Sequence, residues 1–316
     1  MNPADWQDAS VLVTGGAGFI GSHLVDALVS RRARVIALDC VDDPWRLRHV
    51  TESITYLQAD LAAPQQRPAL TQPFDAIFHL AAFSSPSASE QHAELAFRQN
   101  VIGTSRLLQL ARQGGAKRVV FASAGALYTN IPKYLPIDEQ HPIDPAQGVY
   151  VMTKRIGELL CDDFRRTYGV PCLFVRLFNT YGPRQSEEFL IPSLIARGRA
   201  QGKVTLRTET VRRDFSYVSD IVDALLKGAE SGYCGGPINL GTGVEHSLGE
   251  VAKQIGALLG MPVECLNQPA FGPMQQVCDN ALARRALGWQ PGTTLAEGLA
   301  MTVRSFADAV TEGRVA

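Results

Sequence analysis

Ser10-Val11-Leu12-Val13-Thr14-Gly15-Gly16-Ala17-Gly18-Phe19-Ile20-Gly21-Ser22-His23-Leu24 passes from a short apolar run into a glycine-rich turn and then into residues with helical spacing. Leu24, Ala27 and Leu28 fall on one face of the helical part, so the order is strand, turn, helix. Gly15, Gly18 and Gly21 permit a tight turn and close backbone approach to a pyrophosphate, whose charge the free amides at the helix start, around Phe19 and Ile20, can receive. A glycine triplet alone also serves ordinary turns; its place between strand and helix selects the phosphate reading. Asp39 ends the next strand 18 residues after Gly21, where an acid accepts the hydroxyls of an adenosine ribose and repels a 2′-phosphate. That favours NAD over NADP, with Arg46 and Arg48 as the nearby cations able to offset a phosphate. Asp60, in Gln58-Ala59-Asp60-Leu61, is either a partner for the adenine amino group or a turn residue.

The alternation continues outward. Apolar runs at 35–39, 54–60, 76–81, 118–123 and 173–178 read as strands, and helical patterns at 93–114 and 150–168 lie between them. Strands separated by helices pair in parallel with right-handed crossovers, so the fold class is α/β, a Rossmann-type doubly wound parallel sheet. After Phe178, Tyr181-Gly182-Pro183-Arg184 breaks the pattern, a helix is expected at 191–199, and 203–214 reads as a β-ribbon. A strand end and helix at 215–229 and a short strand at 238–241 return to the sheet, and the chain from Ser247 is mainly helical. The expected organisation is a cofactor domain at 1–178, re-entered at about 212–241, with a smaller discontinuous α/β lobe from 179–211 and 242–316 and the ligand crevice between them.

Composition narrows the function classes. Apolar residues make up 46% and charged residues 19% of 316, ordinary globular usage. A formal net charge of −1 gives no basic field for nucleic acid or a membrane surface. The cysteines at 40, 161, 172, 234, 265 and 278 have no C-x-x-C pairing, and the histidines have no i, i+4 pair, so neither a disulfide framework nor a metal site is expected. No long apolar run and no leader-like start is present, which places the expected protein in the cytoplasm.

Six blocks in one order carry a resemblance: residues 14–24, His79-Leu80-Ala81-Ala82, Asn100-Val101-Ile102-Gly103-Thr104, Tyr150-Val151-Met152-Thr153-Lys154, the run 176–184, and Arg213-Asp214-Phe215-Ser216-Tyr217-Val218-Ser219-Asp220. With Leu287-Gly288-Trp289-Gln290-Pro291 near the end, the sequence resembles the extended short-chain dehydrogenase/reductase family, in its NAD-dependent nucleotide-sugar epimerase/dehydratase branch. The resemblance implies that Tyr150 is the acid/base group and Lys154, one helical turn on, its helper. A free tyrosine, with a pKa of about 10, needs its phenolate stabilised to act near neutral pH, and a lysine cation and a positive nicotinamide ring both do so. It further implies cofactor contacts at Leu61, Leu80, Ala81, Ala82 and Asn100, and substrate contacts at Ser84, Ser123, Asn179, Leu190, Leu206 and Arg213. Asn179 and Arg213 are the expected diphosphate ligands, the arginine because its planar fork binds phosphate oxygens in pairs. A homodimer through the helices at 93–114 and 150–168 is implied as well.

The pattern breaks at the centre of the chemistry. Where relatives carry a Ser or Thr that bonds the reacting sugar hydroxyl, this chain has Ala124, in Phe121-Ala122-Ser123-Ala124-Gly125-Ala126. Either Ser123 or Ser84 substitutes, or the enzyme works differently, or the alanine marks a weakened or deliberately trapped variant. Gly125 and Ala126 stand where related dehydratases and decarboxylases hold extra acid/base groups, and neither can move a proton. Arg207-Thr208-Glu209 replaces the usual Gly-x-Gly hairpin, and no second phosphate-binding arginine is assignable in 269–274. The expectation is a nucleotide-sugar 4-epimerase acting through a 4-keto intermediate, with UDP as the nucleotide. The alternatives are a 4,6-dehydratase or 4-ketoreductase of the same family, and a catalytically weakened NAD-binding protein.

Overall fold

The computed structural model describes residues 6–63, 70, 72–144, 146–270 and 272–311, with side chains as far as Phe306. Along the chain come β1 (Ser10–Thr14), α1 (Phe19–Ser30), β2 (Arg34–Asp39), β3 (Ile54–Gln58), β4 (Ala76–His79), α2 (Pro86–Gln91), α3 (Ala93–Phe97), α4 (Gly103–Gln113), β5 (Val119–Ala124) and α5 (Val149–Tyr168). They are followed by β6 (Cys172–Leu177), β7 (Asn179–Tyr181), α6 (Leu190–Gln201), β8 (Val204–Leu206), β9 (Arg212–Tyr217), α7 (Val218–Glu230) and β10 (Gly235–Leu240). The remainder is β11 (Glu245–Ser247), α8 (Leu248–Leu259), β12 (Val263–Cys265), β13 (Gln275–Gln276), α9 (Ala281–Leu287) and α10 (Leu295–Thr311).

Seven strands form one sheet in the order β10-β6-β5-β4-β1-β2-β3, every pair parallel. A parallel sheet is covered on both faces, so its strands are apolar throughout rather than alternating. Val11, Val35, Phe78 and Val120 bury against one set of helices, and Leu12, Leu38, Ile77 and Phe121 against the other. The strand order reverses between β1 and β4, and at such a switch point the loops leave in opposite directions and open a crevice. A third core, around Tyr181, Ile195, Leu206, Val251 and Leu299, takes in Phe19 and Ile20 from the first turn of α1. The C-terminal Trp289 is fully buried, and its Nε1 donates to the Asp220 carbonyl at 2.9 Å, docking the last helices onto α7.

Two expectations need correction. The helix expected over 93–114 is broken into α3, a π-helical turn at Arg98–Ile102, and α4. The wider turn carries Asn100, whose side chain takes the Phe83 N–H (2.7 Å) and donates to the Phe83 carbonyl (3.2 Å) and Thr153 Oγ1 (2.9 Å). No β-ribbon forms over 203–214: β8 pairs with β12, while β9 pairs with β7, β11 and β13. The polar residues 207–210 and the buried Val211 separate two strands that belong to different sheets.

Candidate active site

A cavity of about 610 Å³ opens at the C-terminal edge of the large sheet, between it and the third core. One end is the glycine turn. A Cβ on Gly15 would stand 2.6 Å from the Ala81 backbone nitrogen, and one on Gly21 would collide with the Gly15 carbonyl, so only glycine lets β1, β4 and α1 meet this closely. Gly18 precedes α1 without a side-chain cap, and the first amides of that helix, at Phe19, Ile20 and Gly21, lie in the cavity wall. This bare amide cradle fits the pyrophosphate of a dinucleotide.

The floor beneath it is a polar chain. His79 is buried between Thr14 Oγ1 (2.7 Å) and Thr104 Oγ1 (2.9 Å), and Thr104 donates to the Asn100 carbonyl at 2.6 Å. Thr104 therefore accepts from Nε2–H, and His79 is neutral, its pKa pushed down to about 3 by burial and the Lys154 charge. The wall continues through Asp39, whose carboxylate accepts the Ala17 (3.0 Å) and Cys40 (2.8 Å) amides. The acid thus also holds the glycine turn in shape. Asp60 lines the same end, with the Ala62 amide at 2.7 Å and Arg98 at 2.9 Å on its two oxygens, the arrangement of a turn residue. Leu61, Leu80, Ala81 and Ala82 complete this side.

Tyr150 and Lys154 line the other end, on the first turns of α5, whose Val149 amide is capped by Glu90 Oε1 at 2.6 Å. Lys154 Nζ donates to the Ala122 carbonyl at 2.8 Å and stands 5.9 Å from the Tyr150 ring centre. Burial pushes the phenol up to about 12 and the ammonium down to about 8. The protein alone therefore keeps Tyr150 protonated.

Ser123 and Ala124 both touch the cavity, but the Ser123 hydroxyl donates to Glu158 Oε1 at 2.7 Å. Glu158 is fully buried and also receives Arg176 through Nε and Nη2, both at 2.8 Å, and Arg155 at 3.0 Å. Ser123 is thereby removed as a stand-in for the hydroxyl missing at Ala124. Ser84, exposed on the rim, remains.

Asn179 and Leu190 lie in the wall; Asn100, Leu206 and Arg213 do not. Asn100 is committed to Phe83 and Thr153, and the cavity is faced instead by its neighbour Gln99. Leu206 is a core residue with 3% exposure. Arg213 Nη1 donates to the Arg212 carbonyl at 2.8 Å, and burial lowers its pKa. It does not pair with Asp214, which is held by Thr242 and the Gly243 and Cys278 amides. Gln185 and Gln276 are wall residues that the sequence reading missed. Gln185 directly follows the Tyr181–Arg184 break, which was a usable signal; Gln276 sits in a two-residue strand that gives none, and its Nε2 donates to the Gly125 carbonyl at 3.1 Å. Among the described residues no cluster of metal-binding side chains occurs.

A profile of the NAD dependent epimerase/dehydratase family matches residues 11–241. Over 306 residues the chain is 33% identical to the UDP-glucose 4-epimerase of Mycolicibacterium smegmatis, with 93% of this chain and 97% of that protein covered. It is 32% identical over 313 residues to UDP-glucuronic acid decarboxylase 3 of Arabidopsis thaliana, covering 94% and 88% of the two chains. Among solved structures, the UDP-N-acetylglucosamine 4-epimerase from Methanobrevibacter ruminantium M1 in complex with UDP-N-acetylmuramic acid is similar, with a TM-score of 0.88, 28% identity, and 96% and 99% of the chains covered.

Proposed function

The chain belongs to the NAD-dependent epimerase/dehydratase family, and we propose that it is a nucleotide-sugar 4-epimerase acting on a UDP-sugar. One observation carries the choice of reaction. Around the reacting end of the cavity, among the described residues, the titratable side chains are Tyr150, Lys154 and Tyr181, and Tyr181 is turned to the Leu295 carbonyl at 3.3 Å. The carboxylates in the wall, Asp39 and Asp60, belong to the glycine-turn end. Dehydration needs acid and base at two further carbons, whereas epimerisation needs one proton moved at one hydroxyl.

When bound, NAD would supply hydride acceptance and return. Gly15, Gly18, Gly21 and the α1 amides would hold its pyrophosphate and Asp39 its adenosine ribose. Tyr150, as the phenolate, takes the C4 hydroxyl proton as the sugar is oxidised, holds it as the phenol while the ketone turns, and gives it back on reduction, and Lys154 stabilises the phenolate before the first event and after the second. Asn179, from the first residue of β7, is the proposed diphosphate contact, and Arg213 reaches that group only by turning from its present carbonyl partner. The proposed lobes are 1–178 with the returning α7 and β10, and the remainder around the third core.

A homodimer through the segment 93–114 and α5 is supported by Ile102, at the end of the π turn before α4, and by Met152, Leu159 and Tyr168 on α5, large apolar side chains left exposed. Light scattering at micromolar concentration should give twice the chain mass; the chain mass alone would remove the dimer. No helix among the described residues is long and apolar enough to cross a membrane, and a cytoplasmic place is part of the proposal.

The test is product analysis after incubation with UDP-glucose and NAD⁺. The expected product is the 4-epimer, reached from either side, with no net change in cofactor. A 4-keto-6-deoxy sugar, or net conversion of NAD⁺ to NADH, would overturn it.

A further inference from the structure

Helix α5 begins without a cap of its own. The first amides of a helix have no acceptor within it, and the side chain of the preceding residue commonly supplies one. That residue here is Gly148, which has no side chain and takes a φ of +127°. The acceptor comes from 59 residues away: Glu90, on α2, receives the Val149 amide on Oε1 at 2.6 Å. Its carboxylate thereby stands at the positive end of a 20-residue helix dipole. A Cβ on Gly148 would lie 2.5 Å from the same oxygen, so this approach requires glycine. Glu90 is exposed and outside the cavity wall, so any effect it has on the reaction passes through α5.

The segment that carries Glu90 is itself tied down. Ser85 Oγ accepts the Ala88 amide at 3.3 Å, and the fully buried Ser89 donates to the Ser85 carbonyl at 2.8 Å. Phe83 is held by Asn100, which also donates to Thr153 Oγ1, and Thr153 in turn donates to the Tyr150 carbonyl at 2.8 Å. The start of α5 is therefore gripped twice from residues 83–100, at Val149 and at Thr153, and Tyr150 lies between the two grips. Ser84 and Pro86 of the same segment line the cavity. We propose that Glu90 is a positioning residue for Tyr150: by fixing the Val149 backbone it aims the phenol from a first turn whose own N-cap residue offers no acceptor. A reacting group displaced by about 1 Å can lose on the order of 10²-fold in rate, so partial fraying of this one turn is enough to show in kcat. The role rests on Tyr150 as the acid/base group proposed above.

The experiment compares the parent with Glu90→Ala and Glu90→Gln, each loaded with NAD⁺. Amide hydrogen exchange over residues 148–152, read by peptide mass spectrometry, needs no substrate. It should quicken about tenfold in Glu90→Ala, and recover most of that change in Glu90→Gln, whose side-chain carbonyl accepts the same amide. With UDP-glucose, Glu90→Ala should lower kcat about tenfold while KM and NAD⁺ affinity stay within about twofold, and Glu90→Gln should restore most of the loss. Glu90→Lys, which sets a cation against the same amide, should lower kcat at least as far as the alanine. A cap that served stability alone would lower the melting temperature and leave the kcat of the folded enzyme where it was. Unchanged exchange over 148–152, or a kcat within about twofold of the parent in both the alanine and the lysine variant, would overturn the assignment. Full turnover in Tyr150→Phe would instead remove the acid/base reading itself, and the exchange measurement tests Glu90 independently of it.

Discussion

Ser123 and Ala124 are neighbours on β5 with different surroundings: the serine hydroxyl is drawn to Glu158, and the alanine methyl faces the cavity. The sequence alone could not decide which serine replaces the hydroxyl missing at position 124, because the competing acceptor, Glu158, lies 35 residues away on another element. Restoring the group by Ala124→Ser should raise turnover about tenfold, since one hydrogen bond to the reacting oxygen is worth on the order of 1 kcal/mol or more. A flat rate with high parent activity would mean that another donor, such as Ser84, already acts. Tyr150 and Lys154, by contrast, were singled out by the family resemblance, their i, i+4 spacing being commonplace by itself, and their protonation was not legible: burial lifts one and lowers the other. Because Lys154 is held near 8, its cation is lost as pH rises through that value, and turnover should fall on an alkaline limb there. The linkage has the matching sign. Between about 8 and the ordinary 10.5 the unfolded chain binds a proton that the folded chain does not, so this group's burial penalty is relieved as pH rises. The Glu158 charge raises the Lys154 pKa, so Glu158→Gln should move the limb of the pH–rate profile below that of the parent and lower stability by roughly 3 kcal/mol, as expected when a buried ion pair loses one partner. An unmoved limb would separate Glu158 from Lys154.

At the scale of elements, β1, α1 and β2 were readable because an apolar run, glycine punctuation and helical spacing agree with one another over the same residues. What was not readable depended on distant partners: the π turn is kept by Phe83 and Thr153, and β8 and β9 look like one ribbon until their different partner strands are known. α5 carries the proposed chemistry on one face, with Tyr150, Lys154 and Glu158 in succession, and it approaches the sheet closely at Gly157. A Cβ there would lie 2.5 Å from Phe121 Cζ, and the same ring sits 5.2 Å from Lys154 Nζ. Gly157→Ala should therefore push α5 outward, costing about 1–3 kcal/mol and several-fold in kcat with little change in KM. Thermal denaturation and steady-state kinetics check it. A variant as stable and active as the parent would show that Phe121 yields without moving the helix.

For the molecule as a whole, the parallel sheet followed from sequence because six of its seven strands, β1 to β6, succeed one another along the chain, and the glycine turn proposed for the dinucleotide lies within the first of its units. The substrate side is assembled from scattered ones: Asn179, Gln185, Leu190 and Gln276 meet across nearly a hundred residues. The first turn of α1 belongs to both halves, lining the cavity and packing Phe19 and Ile20 into the third core. In the proposed reaction a hydride leaves C4 and returns to C4 within this one enclosure, so the fate of that hydrogen is the most direct test. UDP-glucose carrying deuterium at C4 should be converted to its 4-epimer with the deuterium still at C4 and none lost to solvent. Deuterium recovered at C6, as in a dehydration, or washed out to solvent, would contradict it.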